Sequence, residues 1–451
     1  KSKKVKFFID DLPVEGNQDE SIWSVAKRYG TTLPHLCYSD KPGYRADGNC
    51  RACMVSVEGE RVLAASCIRT PSEGMKVFTK DERSSKSREM VIELLVTDQP
   101  KKEVCHDPDS HFWQMADKVH VKKSRFDKRN PETIPEADNS HVAMSVNLDA
   151  CINCNLCVRA CREVQVNDVI GMGNRGYTSK VIFDFNDPMG DSTCVSCGEC
   201  VQACPTGALM ESNLLDEKGK KVAKPDRKVD SLCPYCGVGC QLTYNIQGEK
   251  IISVDGRDGP ANNNRLCVKG RFGFDYIHNP ERLTKPLIRK DGVPKDPKER
   301  IDPMNPLTHF REATWDEALD LAAKKLLKIR DSKNGKKALA GFGCAKGSNE
   351  EAYLFQKLVR TGFNNNNVDH CTRMCHASSV AALMEAIGTG AVTAPVSEVK
   401  NAEVAILIGC RPTQNHPVAA TFIKNAVKNN GLKLIILDPR KQDLTRIAEK
   451  S

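Results

Sequence analysis

Twenty-one cysteines in 451 residues carry the chemistry of this sequence, and most stand in tight groups. Cys37, Cys50, Cys53 and Cys67 are spaced C-x12-C-x2-C-x13-C. Cys151, Cys154, Cys157 and Cys161 form C-x2-C-x2-C-x3-C, and Cys194, Cys197, Cys200 and Cys204, followed by Pro205, repeat it. Cys233, Cys236, Cys240 and Cys267 are spaced C-x2-C-x3-C-x26-C. A secreted disulfide scaffold is short and loop-rich, whereas this chain is long and has helical segments. Repeated C-x2-C spacing therefore points to thiolate ligation of metal in a reducing compartment, and a cytoplasmic location is expected. One further pair asks a different question: Cys375-His376, within CTRMCHASSV (371–380). Such neighbours are ordinarily a buried thiol beside a polar ring, unless the rest of the chain delivers something for them to react with.

The repeated run is the two-cluster ferredoxin spacing, in which the fourth cysteine of each run ligates the other cluster. Cluster one is expected on Cys151, Cys154, Cys157 and Cys204, and cluster two on Cys161, Cys194, Cys197 and Cys200. Arg162 stands where a proline is common, which changes a turn and no ligand. The first group, on spacing alone, suits either a [2Fe–2S] cluster or zinc. PHLCYSDKPGYRADGNCRACMV resembles the N-terminal ferredoxin-like domain of the large electron-transfer subunit of respiratory complex I and of NAD-linked formate dehydrogenases, which implies [2Fe–2S]. In those families the stretch near residues 95–115 carries a His and three Cys for an extra [4Fe–4S] cluster. Here it holds only Cys105, beside His106 and His111, so that cluster is expected to be absent. CPYCGVGCQLTY and RLCVKGRFG resemble the N-terminal [4Fe–4S] domain of molybdopterin oxidoreductases. The resemblance implies a cluster on Cys233, Cys236, Cys240 and Cys267, with Lys269 between it and a pterin, where a fixed charge favours reduction of both neighbours.

The elements that must position these groups are legible in outline. VKFFIDDLPVEGN reads as a hairpin and ESIWSVAKRYG as a helix ending at Gly30; MVSVEG and RVLAAS read as strands. TWDEALDLAAKKLLKIRD has Thr314 and Glu317 placed for a capping box, then helical spacing. ALAGFG (338–343) reads as a buried strand, AEVAILIGC as a strand, VAATFIKNAVKNNG as a helix ended by Gly431 and LKLIIL as a strand. Strands alternating with helices predict a doubly wound parallel sheet, whose ligands bind beyond the carboxyl ends of strands. That puts Gly409, Asn415, His416, Asp438 and Arg440 near a nucleotide-like ligand, and the region resembles the domain that binds the guanine dinucleotide of the pterin cofactor. DEKGKKVAKPDRK (216–228) reads as a charged linker. The net charge of +9 reads as solvated lysine; basic runs lack interleaved aromatics, so nucleic-acid binding is not expected. No apolar run approaches a membrane span.

NVDHCTRMCHASSV resembles the metal loop of cytoplasmic formate dehydrogenases. The resemblance makes Cys375 the thiolate ligand of molybdenum or tungsten, without choosing between them, and His376 the group beside substrate; with Lys269 these are the expected catalytic residues. Sixteen cysteines would then hold clusters and one the metal, leaving Cys105, Cys344, Cys371 and Cys410 expected to pack as small apolar groups. The implied organisation is multidomain α+β and α/β: a β-grasp [2Fe–2S] domain (1–80), a complex I-like segment without its cluster (81–140), a two-[4Fe–4S] ferredoxin domain (141–215), the linker, a small [4Fe–4S] domain (229–285) and the start of a doubly wound pterin-binding domain (286–451). The implied cofactors are one [2Fe–2S], three [4Fe–4S] and a bis-molybdopterin guanine dinucleotide centre. The implied function is reversible oxidation of formate to CO2, with electrons passing to a flavin- and Fe–S-containing NAD-binding beta subunit and, in some assemblies, a small [2Fe–2S] gamma subunit. Family members continue well beyond DPRKQDLTRIAEKS, so the remainder of the alpha subunit, including a formate-binding arginine, is expected outside this sequence. The alternatives are a non-catalytic complex I-like wiring subunit, which lacks the metal loop, and a molybdopterin nitrate reductase, which commonly has methionine after the ligand cysteine.

Overall fold

The computed structural model describes residues 3–128, 130, 133–296 and 298–451; Lys1 and Ser2 of the expected first domain, and Arg129, Pro131 and Glu132 of the 81–140 segment, lie outside the described residues. Strict alternation shapes the start. In β1 (Lys4–Ile9) Val5, Phe7 and Ile9 are buried and the residues between them exposed. β2 (Leu12–Asn17) returns antiparallel through Asp10 and Asp11, whose φ angles are 48° and 64°; two positive φ values give the primed turn that matches strand twist. In α1 (Ile22–Arg28) the Ser21 side chain accepts from the Ser24 N–H, and Ile22, Trp23, Val25 and Ala26 enter the core. β3 (Met54–Val57), β4 (Ala64–Ala65) and β5 (Lys76–Phe78) complete a five-stranded sheet of order β2-β1-β5-β3-β4. Its core of Phe7, Trp23, Val55 and Val77 also encloses Cys53 and Cys67. α2 (Glu82–Asp98) and α3 (His111–Lys118) follow, packed around Ile92, Cys105, Phe112 and Trp113.

The third element group is small and internally repeated. β6 (Met144–Val146), α4 (Leu156–Arg159), β7 (Ile170–Gly173), β8 (Lys180–Phe183), α5 (Glu199–Ala203) and β9 (Leu209–Glu211) occur in that order. β6 pairs with β9 and β7 with β8, both antiparallel. β10 (Arg227–Leu232), β11 (Gln241–Gln247) and β12 (Lys250–Gly256) form an antiparallel meander, followed by α6 (Val268–Phe272). The expected linker 216–228 is not a free tether. Asp216 and Lys220 close a turn, and Lys221 and Lys224 pair with Asp107 and Asp109 at 3.0 and 2.9 Å. Arg227 and Lys228 already belong to β10. The charges that suggest solvation in the sequence find acidic partners just before α3.

The chain forms two compact units, one of Lys1–Gly273 with Val396–Ser451 and one of Phe274–Pro395. The second holds the hairpin β13 (Leu287–Arg289) and β14 (Phe310–Glu312), then α7 (Trp315–Arg330), β15 (Gly341–Gly343), α8 (Asn349–Lys357), β16 (Val368–His370), α9 (Thr372–Cys375) and α10 (Ala377–Ile387). Only half of the expected capping box forms. Thr314 accepts from the Glu317 N–H at 3.2 Å, but the Glu317 carboxylate turns to Arg311. The reciprocal box belongs instead to Ser348 and Glu351 at the start of α8.

The first unit resumes with β17 (Val404–Ile408), α11 (Pro412–Asn415), α12 (Pro417–Asn430) and β18 (Lys433–Leu437). Among the described residues the expected single doubly wound sheet is two separate parallel pairs, β15–β16 and β17–β18, one in each unit. A parallel sheet normally has both faces covered. Here Ala405 and Leu407 pack into a core with Ile423 and Ala426 of α12, while Val404, Ile406 and Ile408 stay exposed. The predicted strand 338–343 is short, and its Phe342 is 79% exposed rather than buried. No described helix is long and apolar enough to cross a membrane.

Candidate metal centres

The repeated cysteine runs adopt the same backbone twice. In the first, Asn153 and Asn155 flank Cys154 with φ of 51° and 61°; in the second, Ser196 and Gly198 flank Cys197 with φ of 56° and 67°. Left-handed residues next to a ligand turn successive N–H groups toward one side, the concavity that suits an anionic cluster. The Asn153 N–H donates to Cys151 Sγ and the Ser196 N–H to Cys194 Sγ, both at 3.4 Å. The last turn of α4 widens over Ala160–Val164 into a π-helical turn that carries Cys161, a distortion frequent at functional sites. Cys161 Sγ accepts from the Val169 N–H at 3.4 Å.

The sulfur sets assemble across the two runs. Cys151, Cys154, Cys157 and Cys204 line one cavity, together with Leu148, Val181 and Leu209. Cys161, Cys194, Cys197 and Cys200 are mutual electrostatic neighbours. Burial pushes Cys154, Cys157, Cys161, Cys194, Cys197 and Cys200 up, Cys197 to about 12, and at Cys154, Cys197 and Cys200 the negative charge of neighbouring cysteines pushes further. Four thiolates so enclosed repel one another unless positive charge lies between them, which is what iron supplies. The residues present therefore fit iron–sulfur clusters.

The first group lies on loops of the β-rich domain. Cys37 Sγ accepts from the Cys50 N–H at 3.4 Å. Hydrogen bonds from Cys50 and Cys67 hold the Cys37 thiol down, and the same contact with Cys37 pushes both partners up. Cys50 and Cys67 thus both lie against Cys37, and Cys67 in turn holds Cys53 down at about 7. In the fourth group, Cys233, Cys236, Cys240 and Cys267 line one cavity with Lys269, Leu266 and Pro417. Burial raises Cys233, and the Lys269 charge opposes that rise. Among the described residues no three His, Cys, Asp or Glu side chains converge on a single-ion site; the sulfurs surround cavities instead.

Lys269 also lines a larger cavity of about 850 Å³, with Cys197, Cys267, Lys424, Lys428 and Arg446. Lys424, from α12, donates to Asn167 at 2.8 Å, and burial lowers its ammonium to about 8. Sequence reasoning did not single out Lys424. Gly409 and Asp438 sit at the adjacent carboxyl ends of β17 and β18, and the Gly409 N–H reaches Leu437 O at 2.9 Å. The Arg440 N–H donates to Asp438 Oδ1 at 2.9 Å, while Asn415 and His416 lie at the end of α11. Arg411 and Gln442, which the sequence did not flag, also reach Asp438, at 3.6 and 3.3 Å.

Cys375 and His376 belong to the other unit. Cys375 ends α9, and His376, with φ of −136°, breaks the chain before α10. Both side chains are exposed, so the pair is not a packed thiol and ring. Cys371 lies one turn earlier and Cys344 directly after β15. These two are exposed, not packed as expected, because both sit in loops just beyond the adjacent ends of β15 and β16. Cys105 is buried and Cys410 half-buried. The segment near residue 105 does not converge on a site. Cys105 donates to Lys102 O, His106 bonds Gly219 O at 2.7 Å and Asp149 at 2.9 Å, and His111 reaches His35 O at 2.8 Å.

Comparison with known proteins matches these regions one by one. Residues 2–82 match a 2Fe-2S iron-sulfur cluster binding domain, 150–208 a 4Fe-4S dicluster domain, 226–279 the molybdopterin oxidoreductase Fe4S4 domain and 282–450 the molybdopterin oxidoreductase family. The chain is 30% identical to "Probable oxidoreductase YjgC" of Bacillus subtilis, over 98% of this chain and 46% of that protein. It is 29% identical to a Staphylococcus haemolyticus protein named "Putative formate dehydrogenase SH0748", over 95% of this chain and 45% of the relative. It thus spans about half the length of these relatives. A solved NAD+-reducing [NiFe]-hydrogenase chain aligns with a TM-score of 0.41 and 25% identity, covering 46% of this chain and 87% of that one. Thiol-lined cavities, repeated cysteine loops and these four matches together describe a molybdopterin oxidoreductase with iron–sulfur domains.

Proposed function

We propose that this chain is the relay-bearing part of the catalytic subunit of a formate dehydrogenase, taking electrons from formate at a molybdenum or tungsten centre and passing them through one [2Fe–2S] and three [4Fe–4S] clusters. The observation that carries the reading is Cys375-His376, an exposed thiol and ring at a helix break, in a chain whose other unit holds four cysteine sets. Cys375 would hold the metal as thiolate. The bis-pterin metal group, when bound, supplies the two-electron acceptor for HCOO⁻ → CO2 + H⁺ + 2e⁻. His376 would stand beside formate and take or steer the proton. Gly409, Asn415, His416, Asp438 and Arg440 would meet the nucleotide part of the pterin, and Lys269 the pterin-to-cluster gap. Electrons would leave toward a flavin-bearing, NAD-reducing partner.

The test uses the full-length protein. Metal analysis should find molybdenum or tungsten beside iron, and viologen dye should be reduced with formate and not be oxidised with nitrate. Cys375→Ala should abolish formate oxidation and leave the clusters in place, because they have their own thiolates. His376→Ala should keep the metal and lose about 10–100-fold in turnover, the usual effect of groups just outside the ligand set. Iron without either heavy metal would favour a wiring subunit, and nitrate turnover a nitrate reductase.

A further inference from the structure

Two of the largest fully buried side chains are arginines, Arg159 and Arg271, each 1% exposed. A buried guanidinium costs several kcal/mol unless its donors and charge are met, so what meets them is informative. Arg159 Nη2 donates to the Cys37 carbonyl at 2.6 Å and to the Cys154 carbonyl at 3.2 Å. Its Nη1 reaches Arg45 O, and its Nε lies 3.2 Å from Asp47. Cys37 belongs to the first cysteine set and Cys154 to the second. Arg271 stands on α6, which begins directly after Cys267, and its N–H bonds the Cys267 carbonyl at 3.0 Å. Its Nε donates to the Cys197 carbonyl at 3.3 Å, and its Nη1 to Gln202 and Val254 O at 2.7 and 3.0 Å. Its Nη2 lies 3.6 Å from Glu199, itself 1% exposed and bonded by Tyr44 at 2.9 Å. Gly198 makes room for it: a Cβ there would stand 2.9 Å from Arg271 Cγ.

Each arginine thus spans two cysteine sets that follow one another in space. Arg159 joins the first set to cluster one; Arg271 joins cluster two to the fourth set. No arginine is needed at the middle step, where Cys161 and Cys204 already cross between the runs. We propose that Arg159 and Arg271 are junction residues of the relay, each tying the ligand loops of two successive clusters and raising the potentials of that pair. Planar guanidinium suits the task, since one fork reaches several carbonyls at fixed angles. Positive charge in a low-dielectric site favours the reduced, more negative cluster. Removing either arginine also strands its carboxylate, Asp47 or Glu199, beside the same clusters. The proposal rests on the cysteine sets as cluster ligands and not on formate as substrate.

The test is an EPR-monitored redox titration of the full-length protein, reduced with dithionite so that formate turnover plays no part. Arg159→Gln is expected to lower the midpoint of the [2Fe–2S] centre and of one [4Fe–4S] centre. Arg271→Gln is expected to lower the other two. Arg159→Lys and Arg271→Lys, which keep the charge, should restore most of each shift. Where a Gln variant loses iron instead, loss confined to the same pair supports the proposal. Unmoved potentials, a shift in one centre alone, or an equal effect on all four overturns it. A wild-type protein without four iron–sulfur signals would overturn the ligand reading itself, whereas failed formate oxidation with paired shifts would sink only the substrate.

Discussion

Charge placed beside sulfur is the theme at the scale of single residues. Lys269 is half-buried in the wall of the cavity formed by Cys233, Cys236, Cys240 and Cys267. On the proposed function, Lys269→Ala is expected to leave all clusters bound, lower the potential of the fourth and slow its reduction by formate. Unchanged potential and full turnover would make it ordinary surface. Glu211 shows the opposite case, a carboxyl with too little to hold its charge. Burial pushes it up to about 7, against the pull of Arg271. Unfolded, it titrates near 4.3. Between about pH 4.3 and 7 the unfolded chain releases a proton that the folded one keeps, so stability falls as pH rises through that window and levels off above it. Glu211→Gln should remove this slope. Melting temperatures followed across the window test it, and parallel curves for the two proteins would refute it.

At the scale of elements, the loops matter more than the strands. Asp11, exposed and at φ 64°, sits where a primed turn prefers glycine. Asp11→Gly should stabilise the first domain by about 0.5–1 kcal/mol, read as a higher melting temperature; a lower one would mean that the Asp11 side chain contributes something the turn geometry does not show. The cysteine loops were legible in the sequence because cluster ligation is local: C-x2-C fixes which sulfurs stand on one turn, whatever surrounds them. Arg159 and Arg271 were not, because LCVRAC and KGRFG place arginine where a helix surface would, and only the packing of one cysteine loop on another shows it enclosed. The division of the parallel strands into two pairs escaped for a similar reason. Alternation of strand and helix predicts that strands run parallel, and β17 beside β18 does so, but it says nothing about which pair joins which. The exposed Cys344 and Cys371 failed the expectation of packing because composition ranks cysteine as apolar and knows nothing of strand ends.

At the scale of the molecule, metal replaces hydrophobic mass. The core around α4 and α5 includes Cys157, Cys161 and Cys200 beside Met144, Ile170 and Phe183, so clusters held by these thiols would be continuous with that core. The first domain has a fuller apolar core of Phe7, Ile22, Trp23, Val55 and Val77. Full assembly should bring about 14 iron atoms per chain. Stripping them should open residues 141–215 to proteolysis and hydrogen exchange while β1, β2 and α1 hold longer; equal protection in both regions would show that the clusters are not structural. The cavity that joins Cys151, Cys154 and Cys157 to Cys204 has a consequence for birth as well as stability. A nascent chain cannot close that site until more than fifty residues after its first sulfur have left the ribosome. Iron delivered earlier would meet an unfinished cage, so cluster insertion belongs to the released domain and not to the growing one.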